Sequence, residues 1–279
     1  MNAHPTIIIP VHNRRSLTLA CLRRLREIGD LKCFGVIVVD DGSTDGTGEA
    51  IRAEFPEVEI LRGDGNLWWT GAIALGSAHA FAQGVEIVFW LNDDCLPSAG
   101  ALPGLANFLA TQPHSVAAPV CLNPATGARI ATAFIGRHEL PAPARGAVSG
   151  AEGLSGYCLA VPRSVWEKLG PPDARRFPHY YGDTAFTLLA HAAGFQVAVV
   201  GDAEVELADY RPPLRSPGRY RAAGGSWGGE FARTFFHRKS PFRLATQWHL
   251  LCLKYGALAG AALALLRFAS WSVRFTLRR

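Results

Sequence analysis

The chain has 279 residues, of which 49% are hydrophobic and 18% are charged, so we expect a sizeable buried core rather than a disordered chain. The formal net charge of +5 reflects a modest excess of Arg and Lys without a dense basic stripe, which argues against a nucleic-acid-binding protein. The six cysteines form no C-x-x-C pair, a pattern that predicts reduced, buried thiols in a cytoplasmic protein.

Short apolar runs and amphipathic segments alternate along the first third of the chain. The β-branched run at residues 6–10 is too short for a helix and ends at a proline, so it predicts a buried strand. Leu and Ile recur at helical spacing over 16–28, which predicts an amphipathic helix. The same reasoning predicts strands at 36–39, 58–61 and 85–91, and helices through about 51–55 and 72–83. This alternation indicates an α/β fold with a mostly parallel central sheet and helices on both faces.

The rest of the chain is less regular. Residues 124–150 predict a loop with one edge hairpin around 129–135. Strands are then expected at 156–161 and 196–200, and helices at 162–169 and 184–193. Residues 209–247 are basic and rich in Gly and Pro, which predicts a mobile loop region.

Pairs of carboxylates follow two of the predicted strands. Asp40 and Asp41 come directly after the second strand, and Asp93 and Asp94 follow the fourth. Because ligands of open α/β sheets bind at the carboxyl ends of the strands, we expect these groups to share one cleft. A divalent cation, together with the hydrogen-bond donors of a nucleotide, would offset the repulsion among them. Taken alone, each pair can also belong to a helix cap or a turn.

Several segments together resemble the family 2 glycosyltransferases of the GT-A fold, and both their order and their spacing match. The three main segments are Ile7-Ile8-Ile9-Pro10-Val11-His12-Asn13, Val38-Val39-Asp40-Asp41-Gly42-Ser43-Thr44-Asp45 and Leu91-Asn92-Asp93-Asp94. Residues 65–71 are similar to a Gly-rich stretch of rhamnosyltransferase-like members, although two tryptophans replace small residues. The resemblance covers about residues 6–200. It implies a GT-A catalytic domain at 1–208, with a nucleotide-binding half at about 1–123 and an acceptor half at about 124–208.

The resemblance also implies roles for individual residues around a nucleotide-sugar donor. Asp94 is expected to bind a Mg²⁺ or Mn²⁺ ion, while Asp93 is expected nearer the ribose. The implied nucleotide-binding residues are Pro10, Asn13, Asp40, Asp41, Asn66, Trp69, Gly71 and Asp93.

A later carboxylate is expected to act as the catalytic base. Glycosyl transfer needs a group that takes the proton of the acceptor hydroxyl as this hydroxyl attacks the anomeric carbon. The Glu-Asp pair of the family corresponds to Gly182-Asp183, which implies that Asp183 is the base and that the neighbouring acidic residue is missing. In-line attack opposite the leaving group predicts inversion. By itself, Asp183 can also be the N-cap of a helix.

Some residues have two interpretations. Trp68 and Trp69 either pack in the core or stack on a sugar or base, and His179 either lines the acceptor side or packs. The family often supplies a late His near the diphosphate, but residues 204–209 contain none. Either a cation of the late basic loop takes that position, or the loop is merely solvated. The candidates are Arg211, Arg215, Arg219 and Arg221.

The C-terminal segment 248–279 predicts an apolar helix. Charges leave an uncharged stretch of only 12 residues, 255–266, whereas a membrane span needs about 20. The helix is expected either to lie in a membrane interface, near a lipid-linked acceptor, or to pack on protein. Since the N-terminus lacks the features of a secretion signal, the expected location is cytoplasmic, peripheral on the inner face of the cell membrane.

The sequence therefore predicts an inverting, metal-dependent glycosyltransferase for hexosyl or deoxyhexosyl transfer. Its expected donor is a nucleotide-diphosphate sugar, and its acceptor a glycan or lipid-linked glycan of cell-surface polysaccharide assembly. A sugar-phosphate nucleotidyltransferase would share the sheet and the metal, but it needs a glycine-rich basic loop where this chain has Pro10-Val11-His12-Asn13. A sugar-nucleotide-binding scaffold without turnover is the other alternative, because of Gly182.

Overall fold

A computed structural model describes residues 4–208, 216–220 and 225–277. The strands are β1 (Thr6–Val11), β2 (Gly35–Asp40), β3 (Glu59–Arg62), β4 (Ile87–Leu91), β5 (Cys95–Pro97), β6 (Ser115–Leu122), β7 (Arg129–Ile130), β8 (Ala133–Ile135), β9 (His138–Glu139), β10 (Val148–Ala151), β11 (Gly153–Leu154), β12 (Cys158–Pro162) and β13 (Gln196–Leu207). The helices are α1 (Arg15–Glu27), α2 (Thr47–Glu54), α3 (Trp68–Ala82), α4 (Ala101–Thr111), α5 (Arg163–Leu169), α6 (Gly182–Ala192), α7 (Trp227–Phe235), α8 (Leu244–Tyr255) and α9 (Ala257–Thr276). Short 3-10 helices lie at Asp30–Lys32 and Pro217–Tyr220.

A mixed sheet forms the centre of the molecule, with the strand order β10-β13-β6-β12-β4-β1-β2-β3. Strands β4, β1, β2 and β3 pair in parallel, and β13 pairs in parallel with β6. Strand β12 runs antiparallel to both of its neighbours, and β10 is an antiparallel edge strand. The predicted α/β class is therefore confirmed, with its parallel strands side by side where the carboxylates follow β2 and β4.

Helices cover both faces of this sheet, and the sequence of β1 shows why. Ile7 and Ile9 belong to a core cluster shared with α1, α2 and α4, whereas Ile8 belongs to a second cluster shared with α3, α5 and α6. Successive strand residues point to opposite faces, so a strand covered on both sides must be apolar throughout. This is the reason that β1 and β4 read as uninterrupted apolar runs.

The middle of the chain contains more strands than the single predicted hairpin. Strand β7 pairs with β6, while β8 pairs with β9 and β11 in a separate three-stranded sheet. Strand β13 also extends well beyond the predicted residue 200, because its second part pairs with β5 and with the end of β6.

The C-terminal region is more helical than the sequence predicted. The expected loop at 209–247 contains α7 in its described part, and α8 begins at Leu244. A turn at Gly256, whose φ is 80°, separates α8 from α9, so two helices replace the single helix expected at 248–279. Aromatic packing around the fully buried Phe235 and Phe275 joins α7 to α9 and accounts for this extra structure. The division into domains at 208 and 247 stays a prediction.

Candidate active site

Two carboxylates organise the loop that follows β2. Asp40 is the last residue of the strand, and its Oδ1 accepts a hydrogen bond from the Ser43 amide at 2.9 Å. The carboxylate of Asp41 accepts the amides of Gly65 and Trp68, both at 2.8 Å. Both aspartates are buried. Because a carboxylate has about four acceptor positions, each can hold a loop in place and still accept from a ligand.

The loop after β1 is fastened to the loop after β2. His12 Nδ1 lies 2.6 Å from the carbonyl oxygen of Asp41. The Asn13 amide donates to Ser43 Oγ at 2.9 Å, and its Oδ1 accepts from the Thr44 amide at 2.8 Å. Asn13 has a φ of 53°, in the left-handed region that Asn tolerates better than most residues. The two predicted nucleotide-binding loops therefore form one unit.

Arg14 joins this unit to the carboxylates that follow β4. Its Nε lies 3.0 Å from Asp93 Oδ1, and its terminal nitrogen lies 2.8 Å from Asp94 Oδ2. Thr18, in the first part of α1, donates to Asp93 Oδ2 at 2.9 Å. The two strand ends that carry the paired aspartates are thus in direct contact through the start of α1.

The two aspartates after β4 differ in their surroundings. Burial raises the pKa of Asp93 to about 6, an effect that Arg14 opposes and Asp94 reinforces. Asp94 is more exposed, yet its Oδ1 is buried and has no hydrogen-bond partner among the described residues. Since buried carboxylate oxygens are nearly always paired, this oxygen is the group at the site that most needs a ligand.

The surroundings of Asp94 fit a metal ion that arrives together with a diphosphate. Among the described residues, no three His, Cys, Asp or Glu side chains form a group that could hold a metal ion. Mg²⁺, however, is usually bound through one or two carboxylates plus the phosphates of the substrate. The unpaired Asp94 oxygen matches this arrangement, and it does not match a cage made by the protein alone.

The first residues of α3 place the two tryptophans differently. Trp69 packs edge-on against Trp90, and its Nε1 donates to Asn92 Oδ1 at 2.7 Å. Trp68 has a φ of 57°, and its buried Nε1 has no partner among the described residues. Trp69 therefore positions the segment before Asp93, whereas Trp68 retains a donor for a ligand.

Asp183 lies in the first turn of α6, one residue inside the helix. Its carboxylate accepts the amides of Gly156 and Thr184, the latter at 2.6 Å. Tyr181, with a φ of 68°, occupies the N-cap position that the sequence offered to Asp183 as an alternative. Burial raises the pKa of Asp183, although the two amides oppose this. A raised pKa makes the carboxylate a better proton acceptor than an exposed aspartate.

Steric packing explains why position 182 is glycine, where the resemblance leads us to expect Glu. A Cβ at this position would lie 2.2 Å from Thr70 Oγ1. Thr70 is fully buried in α3, and its amide donates to the Pro178 carbonyl at 3.1 Å. The close packing of α3 against the start of α6 therefore requires glycine, so the departure from the family pattern is explained by packing and does not by itself indicate lost activity.

Two histidines lie beside the ring of Trp68. The rings of His179 and His237 lie 6.0 Å and 5.7 Å from its ring, centroid to centroid. Burial, together with the positive charges of Lys239 and Arg14, lowers the pKa of His179 to about 4. His179 is thus neutral at pH 7, and its Nδ1 has no partner among the described residues. Positive charge and the unpaired Nδ1 of His179 therefore lie at this edge of the site.

His237 lies beside Trp68 and comes from the segment between α7 and α8. The sequence did not predict a histidine at this position, because residues 204–209 contain none. The adjacent Arg238 and Lys239 were the available signal, because they make the densest basic run of the late region. Of the four predicted arginines, Arg219 is exposed in a 3-10 helix, and the other three, Arg211, Arg215 and Arg221, lie outside the described residues.

The remaining predicted residues differ in their contacts. Pro10 is half-buried opposite Val39 at the end of β1. Asn66 is exposed, and only its backbone amide is engaged, with Asp64. Gly71 packs against Leu67 within α3, where a Cβ would approach to 3.3 Å. Gly71 therefore serves local packing, while Asn66 is free to meet a ligand.

One network of contacts connects the three parts of the predicted site. It runs from Asp41 to Trp68, from Trp69 to Asn92, from the Asn92 amide to the Tyr157 carbonyl, and from Gly156 to Asp183. Arg14 adds Asp94 to the same network. The structure thus brings the strand-end carboxylates and Asp183 together at one edge of the sheet.

Comparison with known proteins gives an independent view of this arrangement. Residues 6–132, slightly less than half of the chain, match the model for Glycosyl transferase family 2. No curated protein matches the chain.

Three solved structures of glycosyltransferases share the fold. GalNAc-T7 with UDP, GalNAc and Mn²⁺ aligns over 95% of this chain and 54% of its own, with 12% identity and a TM-score of 0.60. The mannosyltransferase PcManGT from Pyrobaculum calidifontis, in complex with GDP-Man and Mn²⁺, aligns over 97% and 76%, with 21% identity and a TM-score of 0.58. Residues 1–349 of S. aureus TarS align over 98% and 74%, with 13% identity and a TM-score of 0.62.

These likenesses confirm the GT-A fold expected from the sequence, and residues 6–132 are similar to the family 2 glycosyltransferase domain. The chain spans about half the length of GalNAc-T7 and about three quarters of the other two. At these identities the structures establish the fold alone.

Proposed function

We propose that this chain is an inverting glycosyltransferase that uses a nucleotide-diphosphate sugar and a divalent cation, Mg²⁺ or Mn²⁺. The observation that carries this proposal is the network that joins Asp41 and Asp94, which follow β2 and β4, to Asp183 in the first turn of α6. A nucleotide, a metal ion and an acceptor each need one of these carboxylates, and the network holds all three around one edge of the sheet.

Donor binding is assigned to the loops after β1, β2 and β4. Ribose hydroxyls and base N–H groups are hydrogen-bond donors, and the buried Asp40, Asp41 and Asp93 are acceptors with positions left to fill. Asn13 and Asn66 flank these acids and can donate as well as accept. The presence of UDP and of GDP-Man in two structures of the same fold supports this assignment.

Asp183 acts in the proposed reaction as the general base. The acceptor hydroxyl gives its proton to the Asp183 carboxylate, and its oxygen forms a bond to the anomeric carbon of the donor sugar. The bond from the anomeric carbon to the diphosphate oxygen breaks on the opposite side, and the nucleoside diphosphate leaves with the electron pair. Attack from this side inverts the anomeric configuration.

Positive charge is needed where the diphosphate departs. A divalent cation held by Asp94 would supply charge stabilisation for this leaving group. Arg14, His237 and Lys239 are near enough to His179 to lower its pKa, and the His237 ring lies 5.7 Å from that of Trp68, which supports a basic edge of the site. We assign the diphosphate to this basic edge, in place of the four late arginines considered from the sequence.

The C-terminal helices support a proposal for the acceptor and the location. We propose a glycan or lipid-linked glycan acceptor and a cytoplasmic enzyme, peripheral on the inner face of the cell membrane, in cell-surface polysaccharide assembly. Hexosyl or deoxyhexosyl transfer of the rhamnosyltransferase-like type is the proposed donor specificity. The exposed apolar residues of α9 support a membrane-facing site for the acceptor.

Donor screening tests the proposal. The full chain is mixed with UDP-, GDP- and dTDP-sugars in the presence of Mn²⁺, and its thermal unfolding is recorded for each. A true donor at 100 times its Kd stabilises the folded state by about 2.7 kcal/mol. The stabilising donors are then assayed for release of nucleoside diphosphate. Release supports the transferase, whereas binding without release over all donors and acceptors supports a sugar-nucleotide-binding scaffold.

A nucleotidyltransferase remains the second enzymatic alternative, and it gives a different result. It would consume a nucleoside triphosphate with a sugar phosphate and release pyrophosphate. The loop after β1, which is fixed by His12 and Asn13, carries no glycine and is occupied by contacts to the β2 loop. We therefore expect no pyrophosphate release.

A further inference from the structure

A cavity of about 610 Å³ lies between α8, α9 and the turn that joins β8 to β9. Four of its lining residues are cations, namely Arg137, Lys254, Arg267 and Arg274. Leu251, Leu263, Leu266 and two aromatic residues provide an apolar wall, and none of the lining residues is acidic. This cavity lies outside the candidate active site and combines positive charge with apolar surface.

Three of the four cations of this cavity lie against aromatic rings. The Lys254 ammonium lies 3.9 Å from the ring centre of Phe134, and the Arg137 guanidinium lies 5.3 Å from that of Tyr255. The Arg267 guanidinium lies 5.6 Å from the ring of Trp271. Among the described residues none of the four cations forms an ion pair, which leaves their charge for an external anion.

The pKa of Lys254 is affected by the positive charges near it. Burial lowers the pKa of Lys254, Glu152 opposes this, and Arg267 and Arg137 lower the pKa further. Glu152 also accepts the Gly136 amide at 2.7 Å, so it already has a partner. An anion in the cavity would relieve the repulsion among these three cations.

An apolar stripe runs along the exposed side of α9. Leu258, Leu265 and Val273 expose 90%, 62% and 58% of their surface, and their spacing of seven or eight residues puts them on one helix face. Among the described residues α9 is the one helix long and apolar enough, by length and composition, to cross a membrane. Arg267, however, lies at its middle, where a charge in a bilayer centre is costly.

The packing of α9 favours a position flat on a surface. A Cβ at Gly260 would lie 2.4 Å from Cys252 Cα, so the start of α9 is pressed against α8. At the other end, Phe275 is fully buried against the aromatic residues of α7. Both ends are thus fixed to the protein, and the stripe faces outward along the whole helix.

We propose that α8 and α9 dock on an anionic phospholipid membrane, with a lipid phosphate in the cavity and the α9 stripe among the acyl chains. Charge complementarity selects this occupant, because the cavity beside the stripe has four cations that form no ion pair within the described part of the chain. A second copy of the chain would bring the same positive charges face to face, which disfavours self-association. Docking is independent of the transfer reaction, since it needs no sugar nucleotide.

Vesicle co-sedimentation of the full chain tests the proposal. Vesicles of pure phosphatidylcholine are compared with vesicles of equal parts phosphatidylcholine and phosphatidylglycerol. We expect binding to the anionic vesicles only, and a decrease with added salt. Equal binding to both vesicle types, absence of binding, or a stable dimer in light scattering would overturn the proposal.

Two pairs of variants separate the cavity from the stripe. Arg137→Gln with Arg274→Gln is expected to weaken binding to anionic vesicles about tenfold or more. The matched control, Arg52→Gln with Lys168→Gln, removes the same charge from α2 and α5 and is expected to bind as the wild type. Leu258→Ser with Val273→Ser is expected to abolish sedimentation, whereas Val148→Ser with Leu189→Ser, also at exposed sites, should leave it unchanged.

Folding and ligand binding of each variant are checked by thermal unfolding with and without the donor. Normal folding and donor binding, together with lost vesicle binding, support the docking surface. Vesicle binding that survives the arginine changes, or falls equally in the control, contradicts it. If the double arginine variant does not fold, Arg274→Gln alone decides, because its side chain is exposed. A failure of the proposed transferase would appear as missing turnover with vesicle binding intact.

Discussion

The nucleotide-binding half and the C-terminal helices handle charge in opposite ways. In the first, the carboxylates of Asp40, Asp41 and Asp93 are buried and fixed by amides, a hydroxyl or Arg14. Around the second, Lys254, Arg267 and Arg137 of the adjoining β8–β9 turn lie on aromatic rings, and none of them forms an ion pair with a carboxylate of the described residues. Buried hydrogen-bond acceptors in fixed positions suit a single ligand bound in one geometry. Cations beside an exposed apolar surface suit the anionic headgroups of a lipid membrane.

We expect glycosyl transfer to depend on the nucleotide-binding half and membrane binding on the C-terminal helices. Changes at the strand-end carboxylates should therefore alter the transfer rate or the stability of the fold without affecting membrane binding.

Removal of the Asp94 carboxylate, whose Oδ1 has no partner among the described residues, is expected to cause a large loss of transfer. Asp94→Asn should lower transfer about 100-fold or more and abolish its dependence on Mn²⁺, because the amide is a poor metal ligand. Turnover is measured as nucleoside diphosphate released over a Mn²⁺ titration. Asp202→Asn is the control, since Asp202 is exposed and its bond to the Gly146 amide survives in the amide form. If the transfer rate of Asp94→Asn depended on Mn²⁺ as that of the wild type does, the assignment of the metal ion to Asp94 would be wrong.

The buried charge of Asp93 is expected to make stability depend on pH. The pKa of Asp93 in the folded state is about 6, above its ordinary value of 3.8, so this group favours folding at low pH and loses that contribution as pH rises through 6. The stability of Asp93→Asn relative to the wild type should therefore increase by about 2 to 3 kcal/mol between pH 4 and pH 7. Urea unfolding at several pH values measures this difference. A difference that is constant with pH would contradict the burial of this charge.

The packing of α3 against α6 is tested at Gly182. Gly182→Ala should destabilise the fold by about 1 to 3 kcal/mol, because the added Cβ collides with Thr70 Oγ1. Thr70→Ala removes that oxygen. Gly182→Ala should therefore destabilise the Thr70→Ala protein much less than it destabilises the wild type. Urea unfolding of all four proteins gives the coupling. Additive effects would show that the collision is not the cause.

The hydrogen bond of Trp69 should have the smallest effect. Trp69→Phe keeps most of the ring packing and removes the bond to Asn92, so we expect a loss of about 1 kcal/mol in the free energy of unfolding. A moderate decrease in transfer should accompany it, since Asn92 precedes the paired aspartates. Trp248→Phe, at a half-exposed position of α8, is the matched control. Equal losses in both variants would mean that the indole N–H does not position this segment.

The two regions also differ in how far their sequences predict them. The strand-end carboxylates were predictable, because apolar runs such as Ile7-Ile8-Ile9 fix the strands and ligands meet at their carboxyl ends. The contacts of Arg14 were not, since a long side chain at a helix start can point to several partners. The reason for glycine at position 182 was not predictable either, because it depends on the position of Thr70, which is more than a hundred residues away in the sequence.

The C-terminal region was predictable in composition but not in structure. Residues 209–247 contain enough Gly, Pro and Arg to predict a loop, yet contacts of Phe235 with Phe275 stabilise α7 within it. Local patterns do not report such long-range aromatic packing. For the same reason the sequence did not place His237 beside Trp68.

The most direct test of the account is the transfer rate of Asp183→Asn compared with Asp30→Asn. Both aspartates have a pKa raised by burial, but Asp30 lies in the 3-10 helix after α1, outside the site. We predict that Asp183→Asn lowers transfer about 10²- to 10⁴-fold, with donor-induced thermal stabilisation unchanged, and that Asp30→Asn transfers as the wild type. Transfer by Asp183→Asn within a few-fold of the wild type would contradict the assignment of the catalytic base.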